Sequence, residues 1–165
     1  MIACDFSQRV VFVTVIRMTN RVEKEIKKEQ LDSFAGEVLD MLKHKAANGS
    51  IVLALSGDLG AGKTTFVQAL GRALGITEDI TSPTFTIMKG YETTDDTFAQ
   101  LVHMDAYRIE DESELGPLRF SEIITQPHTL ICIEWAELIK GALPQNLVQL
   151  TLSIKDETTR TVLID

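Results

Sequence analysis

The residues best equipped for chemistry are Gly57-Asp58-Leu59-Gly60-Ala61-Gly62-Lys63-Thr64-Thr65. They fit G-x-x-x-x-G-K-[ST], the pattern of a loop that wraps phosphates, the P-loop or Walker A element. The glycines open backbone angles closed to other residues, so peptide N–H groups can turn inward on phosphate oxygens. A helix starting near Lys63 adds the positive end of its dipole at the same point. Lys63 can reach the outer phosphates as a point charge, and the Thr64 hydroxyl can take Mg²⁺. Asp58, Leu59, Gly60, Ala61, Gly62, Lys63, Thr64 and Thr65 are therefore the candidate nucleotide-binding residues.

Three further stretches carry candidate groups. Leu130-Ile131-Cys132-Ile133-Glu134-Trp135 is an apolar run ending in an acid, the Walker B pattern, which offers Glu134 to Mg²⁺ or to an attacking water. Trp135 offers a stacking face, or serves as a core aromatic. His103-Met104-Asp105-Ala106-Tyr107-Arg108 places Asp105 at a strand end, where α/β proteins hold ligands. Asp105 can orient a metal-bound water or act as a base, and an ion pair with Arg108 is the alternative. His103 shares a strand face with Asp105. A zinc site there lacks further Cys or His at ligand spacing. In Thr81-Ser82-Pro83-Thr84-Phe85-Thr86-Ile87, Pro83 holds the chain extended and the hydroxyls can reach phosphate. It reads as a segment ordered by a terminal phosphate, or as a plain Ser/Thr/Pro loop.

These groups need a scaffold. Ile51–Leu55 is a short apolar run suited to a buried strand before the loop. Phe66, Val67, Leu70, Ala73 and Leu74 follow at helical spacing, and Gly75 ends that helix. Leu31, Phe34, Ala35, Val38, Leu39 and Leu42 predict an earlier helix, stopped before Asn48-Gly49. The Lys- and Glu-rich stretch 21–30 reads as a solvated approach to it, and His44 should face solvent. Residues 84–91 and 98–104 predict a hairpin around 93–96. The acidic stretch 111–122 reads as helical pieces broken at Gly116-Pro117. Residues 148–154 and 161–164 predict a closing pair of strands. The fold class is α/β: a P-loop NTPase-like, mostly parallel sheet flanked by helices, with an antiparallel hairpin and closing strands.

The chain has 165 residues, enough for one domain with a real core. Its net charge of −8 suits it poorly to direct contact with nucleic-acid phosphates. Two cysteines, Cys4 and Cys132, make no disulfide framework, so a reducing, cytoplasmic compartment is expected. The β-branched run Val10–Ile16 reads as a strand, too short to span a membrane and without a signal-peptide frame. Residues 1–17 are set apart as an extension, with Met18 as an alternative start and 18–165 as a single ATPase domain.

Together these motifs resemble the bacterial TsaE family, small P-loop ATPases of tRNA threonylcarbamoyladenosine biosynthesis. The resemblance rests on G-D-L-G-A-G-K-T-T (Gly57–Thr65), S-P-T-F (Ser82–Phe85), H-x-D-x-Y-R (His103–Arg108), Glu134-Trp135 and Leu143-Pro144, in order from about residue 28 to 164. It implies Mg²⁺-dependent ATP hydrolysis, with ATP/ADP as ligand, that supports turnover of the TsaD–TsaB complex. Those subunits carry out threonylcarbamoyl transfer to adenosine 37 of ANN-decoding tRNAs, so tRNA is met only indirectly and no membrane is involved. The resemblance also implies roles. Lys63 holds phosphate, Thr64 and Glu134 hold Mg²⁺, Asp105 helps activate water, and Ser82–Phe85 is the switch. Trp135 lies near the nucleotide or partner, and Arg160 helps hold the nucleotide. Two departures stand out: Arg119 occupies a place where the family often carries glycine, and family members usually begin near Met18. The alternatives are a small-molecule P-loop kinase, which needs a second pocket and an Arg-rich lid, and a nucleotide-binding regulatory module without turnover.

Overall fold

The apolar runs at the centre of the chain become strands buried along nearly their whole length. Ile51–Ser56 (β2) and Thr129–Glu134 (β5) pair in parallel, and Gln100–Asp105 (β4) extends the parallel set beyond β5. Such strands need cover on both faces, which crossover helices and loops provide. The computed structural model describes residues 21–46 and 50–165. With Val22–Lys27 (β1), Met88–Glu92 (β3), Leu147–Ile154 (β6) and Thr159–Ile164 (β7), one seven-stranded sheet forms in the order β1-β7-β6-β2-β5-β4-β3. Its β2-β5, β4-β5 and β2-β6 pairs are parallel, and β3-β4, β6-β7 and β1-β7 are antiparallel.

Leu31–Lys45 (α1) and Lys63–Ala73 (α2) cover one face of the sheet. Their apolar stripes bury Phe34, Val38, Leu42, Phe66 and Leu70 against Leu53, Leu55, Leu130 and Leu150. Phe34 and Phe66 join the two helices with ring centroids 5.7 Å apart. The opposite face is covered by irregular chain. There the short helix Phe120–Ile123 (α3) and the 3₁₀ turns Glu112–Leu115 and Ala136–Ala142 pack Leu115, Phe120 and Ile139 on Val52, Ile131 and Ile133.

Two local readings change. Residues 22–27 are not an approach to a helix but an edge strand, paired antiparallel with β7 from Val22↔Ile164 to Lys27↔Thr159. Only Ile26 of β1 is buried, so the strand carries almost no hydrophobic pattern. The β3–β4 hairpin begins at Met88 rather than at residue 84. The chain before it is a turn in which Thr86 N–H donates to Pro83 O, and Ile87 takes a φ of 65° that no strand accommodates. Arg119 has a φ of 53°, the left-handed conformation that suits glycine, which gives the glycine-to-arginine departure a conformational cost. The strand predicted at 10–16, the extension 1–17 and the stop at Asn48-Gly49 lie outside the described residues. Gly75, with φ 76°, ends α2 as expected, and Ile76 N–H closes back on Gly71 O at 2.9 Å.

Gly57 has a φ of 136°, and a Cβ there would sit 2.2 Å from the carbonyl oxygen of Leu152 on β6. Gly36, inside α1, has nothing within 4 Å of such a Cβ. Urea unfolding should therefore separate the two. Gly57→Ala is expected to lose about 2 kcal/mol or more, from overpacking and backbone strain. Gly36→Ala is expected to gain about 0.5–1 kcal/mol, from the lower backbone entropy of alanine in a helix.

Candidate active site

Strand period and register bring the acids to the loop. β5 is paired so that Glu134 lies beside Leu55 of β2 and beside Asp105 of β4. All three stand at the C-terminal ends of parallel strands, where the chain turns into loops. A cleft of about 390 Å³ opens there. Loop residues Leu59, Gly60 and Gly62–Thr65 form one wall, and Ser82, Thr84, Asp105, Tyr107, Glu134 and Trp135 the rest.

The loop owes its shape to three positive φ angles, at Gly57, Gly60 and Gly62. Gly62 precedes α2 in a left-handed conformation, and no side chain caps the helix. The first-turn N–H groups of α2 have no intrahelical partners, as at any helix start. Lys63, though nearly buried, lies back along the loop: its ammonium donates to Gly57 O at 2.6 Å and Asp58 O at 3.0 Å. It also sits 3.9 Å from the centroid of the Trp135 ring. Burial lowers the Lys63 pKa, and the neighbouring carboxylates Glu134, Glu137, Asp105 and Asp58 only partly oppose that.

Glu134 is a junction. Its Oε1 accepts from the Thr64 hydroxyl at 2.7 Å and pairs with His103 Nε2 at 2.8 Å. Asp105 is equally engaged: Oδ2 accepts from Ser82 Oγ at 3.2 Å and Thr84 Oγ1 at 2.5 Å, and Oδ1 accepts from Tyr107 N–H at 3.0 Å. The Ser82–Phe85 segment is thus tied to Asp105 through its hydroxyls. Arg108 makes no ion pair with Asp105. Its guanidinium lies 4.6 Å from the centroid of the exposed Phe85 ring.

On the other flank of the loop, a second cleft of about 270 Å³ is lined by Gly60, Ala61, Gly62 and Thr65 with Leu31, Thr158, Arg160 and Val162 among others. Arg160 braces the loop from this side, donating through Nε to Ala61 O at 2.9 Å and through a terminal nitrogen to Asp156 O at 2.9 Å. The two clefts share Gly60, Gly62 and Thr65.

Of the residues anticipated from sequence, Leu59, Gly60, Gly62, Lys63, Thr64, Thr65, Asp105, Glu134 and Trp135 meet in the first cleft. Ala61 and Arg160 belong to the second, and Asp58 contributes its carbonyl to Lys63. Sequence reasoning missed the contact of His103 with Glu134. Its only signal was the two-residue spacing from Asp105. It also missed the second cleft, whose wall comes from β1 and β7. Among the described residues, no group of three or more His, Cys, Asp or Glu has metal-site geometry. No helix among them is long and apolar enough to cross a membrane. Cys132 is buried below the site, and burial, with Glu134 adding to it, pushes its thiol pKa far up, which makes it a poor nucleophile.

The parallel β2-β5-β4 core, the glycine loop leading into α2 and the strand-end acids define an α/β protein of the P-loop NTPase-like class. The family model for threonylcarbamoyl adenosine biosynthesis protein TsaE matches residues 25–162. The chain belongs to the TsaE family. It is 44% identical over 111 residues to the tRNA threonylcarbamoyladenosine biosynthesis protein TsaE of Bacillus subtilis, covering 67% of this chain and 66% of that one. To the Aquifex aeolicus TsaE it is 38% identical over 138 residues, covering 82% and 89%. The match to the Rickettsia felis TsaE covers 61% of that protein, so the chain spans just under two thirds of the length of the Bacillus and Rickettsia relatives. A crystal structure of Bacillus subtilis YdiB superposes with a TM-score of 0.66 at 31% identity, covering 87% of this chain and 84% of that one.

Lys63 offers the cleft a cation, held by the Gly57 and Asp58 carbonyls and the Trp135 ring. Lys63→Ala should weaken ADP binding, measured by calorimetry, about a hundredfold or more, the worth of one or two charge-assisted contacts. The same variant should lose only about 1–2 kcal/mol of stability, because two carbonyl contacts and one cation–π contact go with it. A variant that binds ADP normally would remove Lys63 from the site.

Proposed function

We propose that this chain is a Mg²⁺-dependent ATPase acting in tRNA N6-threonylcarbamoyladenosine formation, where its hydrolysis of ATP supports turnover of a TsaD–TsaB complex. Family membership supports the pathway. The observation that carries the chemistry is the meeting of Lys63, Thr64, Asp105 and Glu134 in one cleft at the mouth of the glycine loop.

The two clefts suit a single ligand lying across the loop. The second, partly apolar cleft beside Leu31 and Val162 accepts the nucleoside, and Arg160 holds the loop from beneath. The first-turn N–H groups of α2 receive the phosphates. Lys63 leaves Gly57 O, Asp58 O and the Trp135 face to meet the outer phosphates. An approaching anion favours its ammonium form and offsets the burial that lowers its pKa. Thr64 Oγ1 and the Glu134 carboxylate form a hard, all-oxygen donor set that fits Mg²⁺, which keeps its other positions for water and phosphate. Bound there, Mg²⁺ supplies charge neutralisation at the phosphate oxygens.

Asp105 orients the water that attacks the terminal phosphorus and accepts its proton as the bond to ADP breaks. Two of its present contacts come from the Ser82 and Thr84 hydroxyls. Those hydroxyls must give way, or turn to the phosphate, before Asp105 can hold a water. Occupancy of the terminal phosphate position is thereby coupled to the conformation of Ser82–Phe85. Phe85 is 86% exposed and Leu59 84%, so a partner protein can read this rim directly.

Phosphate release at fixed ATP tests the reading. The protein alone is expected to turn over slowly, tRNA alone to change nothing at physiological salt, and the TsaD–TsaB complex to change the rate. Saturable tight binding of tRNA alone, or indifference to the complex, would overturn the partner assignment. Phosphate transfer to a small molecule rather than water would instead favour a kinase. Glu134→Ala should reduce phosphate release on the order of 100-fold while leaving ADP affinity in EDTA near that of the parent. Equal loss of ADP affinity without metal would show that Glu134 holds the nucleotide or the fold.

A further inference from the structure

The His103–Glu134 contact is built as a tether. His103 is fully buried, at 0% exposure, on the face of β4 that also carries Asp105. Burying an imidazole has a cost unless its polar atoms are paired. Here one is paired and the other is not: Nε2 meets Glu134 Oε1 at 2.8 Å, while Nδ1 is buried without a hydrogen-bond partner among the described residues. A carboxylate only accepts, so Nε2 carries the proton in this contact. The working end of the ring is therefore the single atom aimed at Glu134.

The arrangement at the carboxylate is asymmetric. Oε1 takes both contacts, from His103 and from Thr64. Oε2 makes none with the described residues, and Glu134 lines the cleft. Pinning Oε1 from the strand side and the helix side leaves the carboxylate one orientation, with Oε2 as its free oxygen. Thr64 can hold this orientation only through a hydroxyl that the metal also claims. His103 has no second task.

We propose that His103 is a positioning residue. Its Nε2–H holds the Glu134 carboxylate in the orientation that serves a divalent cation, and the free Nδ1 contributes nothing. This rests on the reading of Glu134 as a Mg²⁺ ligand and deepens it. Partners of metal ligands typically contribute 10–100-fold to metal affinity.

Glutamine and asparagine separate the two nitrogens of the ring. A Gln side-chain nitrogen lies as many bonds from the backbone as Nε2, whereas the Asn nitrogen corresponds to Nδ1. The measurement is the Mg²⁺ concentration that gives half-maximal strengthening of ADP binding, by calorimetry on the full chain, alongside ADP affinity in EDTA. His103→Asn and His103→Leu are expected to raise the Mg²⁺ requirement about tenfold or more with ADP affinity in EDTA unchanged, and His103→Gln to restore it to within about threefold of the parent. Equal effects of Asn and Gln, or a loss confined to thermal stability, would overturn the role of His103 while leaving the nucleotide reading standing. A parent protein whose ADP binding ignores Mg²⁺ would overturn the metal reading and the tether with it.

Discussion

The site depends on strand register. Parallel pairing places Glu134 beside Leu55 on one side and beside Asp105 on the other. Because side chains alternate across a sheet, Leu130, Cys132 and Glu134 share the face covered by α2, while Ile131 and Ile133 pack on the opposite face. A slip of one residue would send Glu134 to the wrong side and drive isoleucines toward the loop. The apolar runs before each acid prevent this, since both faces of β5 are buried and each selects its own set. Hydrophobic burial along the strands thus fixes Glu134 within hydrogen-bond reach of Thr64, with Asp105 beside it.

That precision comes with local strain. Trp135 follows Glu134 directly and takes a φ of 57°, which turns the chain sharply off the strand and lets its N–H donate to Leu55 O at 3.1 Å. Ile87 and Arg119 also have positive φ, and each such residue costs on the order of 1 kcal/mol. The gain at Trp135 is specific. The ring is held over the Lys63 ammonium and against Tyr107, with centroids 5.3 Å apart. A buried lysine is thereby kept near four carboxylates and an aromatic face rather than in plain apolar surroundings.

The central fold was legible because its physics is local. Ile51–Leu55 and Leu130–Ile133 are uninterrupted apolar runs, α1 and α2 carry clear helical stripes, and the glycine loop is a fixed pattern. β1 was illegible for the same reason in reverse. Val-Glu-Lys-Glu-Ile-Lys has one buried residue, and its place as a strand is set by pairing with β7. The start of the hairpin was misplaced because threonine and phenylalanine at 84–86 favour strands, while tertiary contacts with Asp105 hold a turn. Most of the anticipated site residues proved to be neighbours. The role of His103 was hidden because a two-residue spacing says which face a side chain occupies, not which partner across the sheet it meets.

The loop is assembled from distant halves of the chain. Its glycines come early, but β2 gains its second parallel neighbour only from β6, and the Arg160 that braces Ala61 lies 99 residues further on. On the ribosome, a chain emerging N-terminus first can form α1, β2 and α2 while the far side of the loop is still unmade. The carbonyl of Leu152 that Gly57 packs against, and the strand that carries Arg160 into the second cleft, arrive last among the described elements. Closing contacts of such long range is slow and entropically costly. A nascent chain therefore cannot hold the glycine loop in its final shape until β6 and β7 have left the exit tunnel, and the loop is finished only with completion of the sheet.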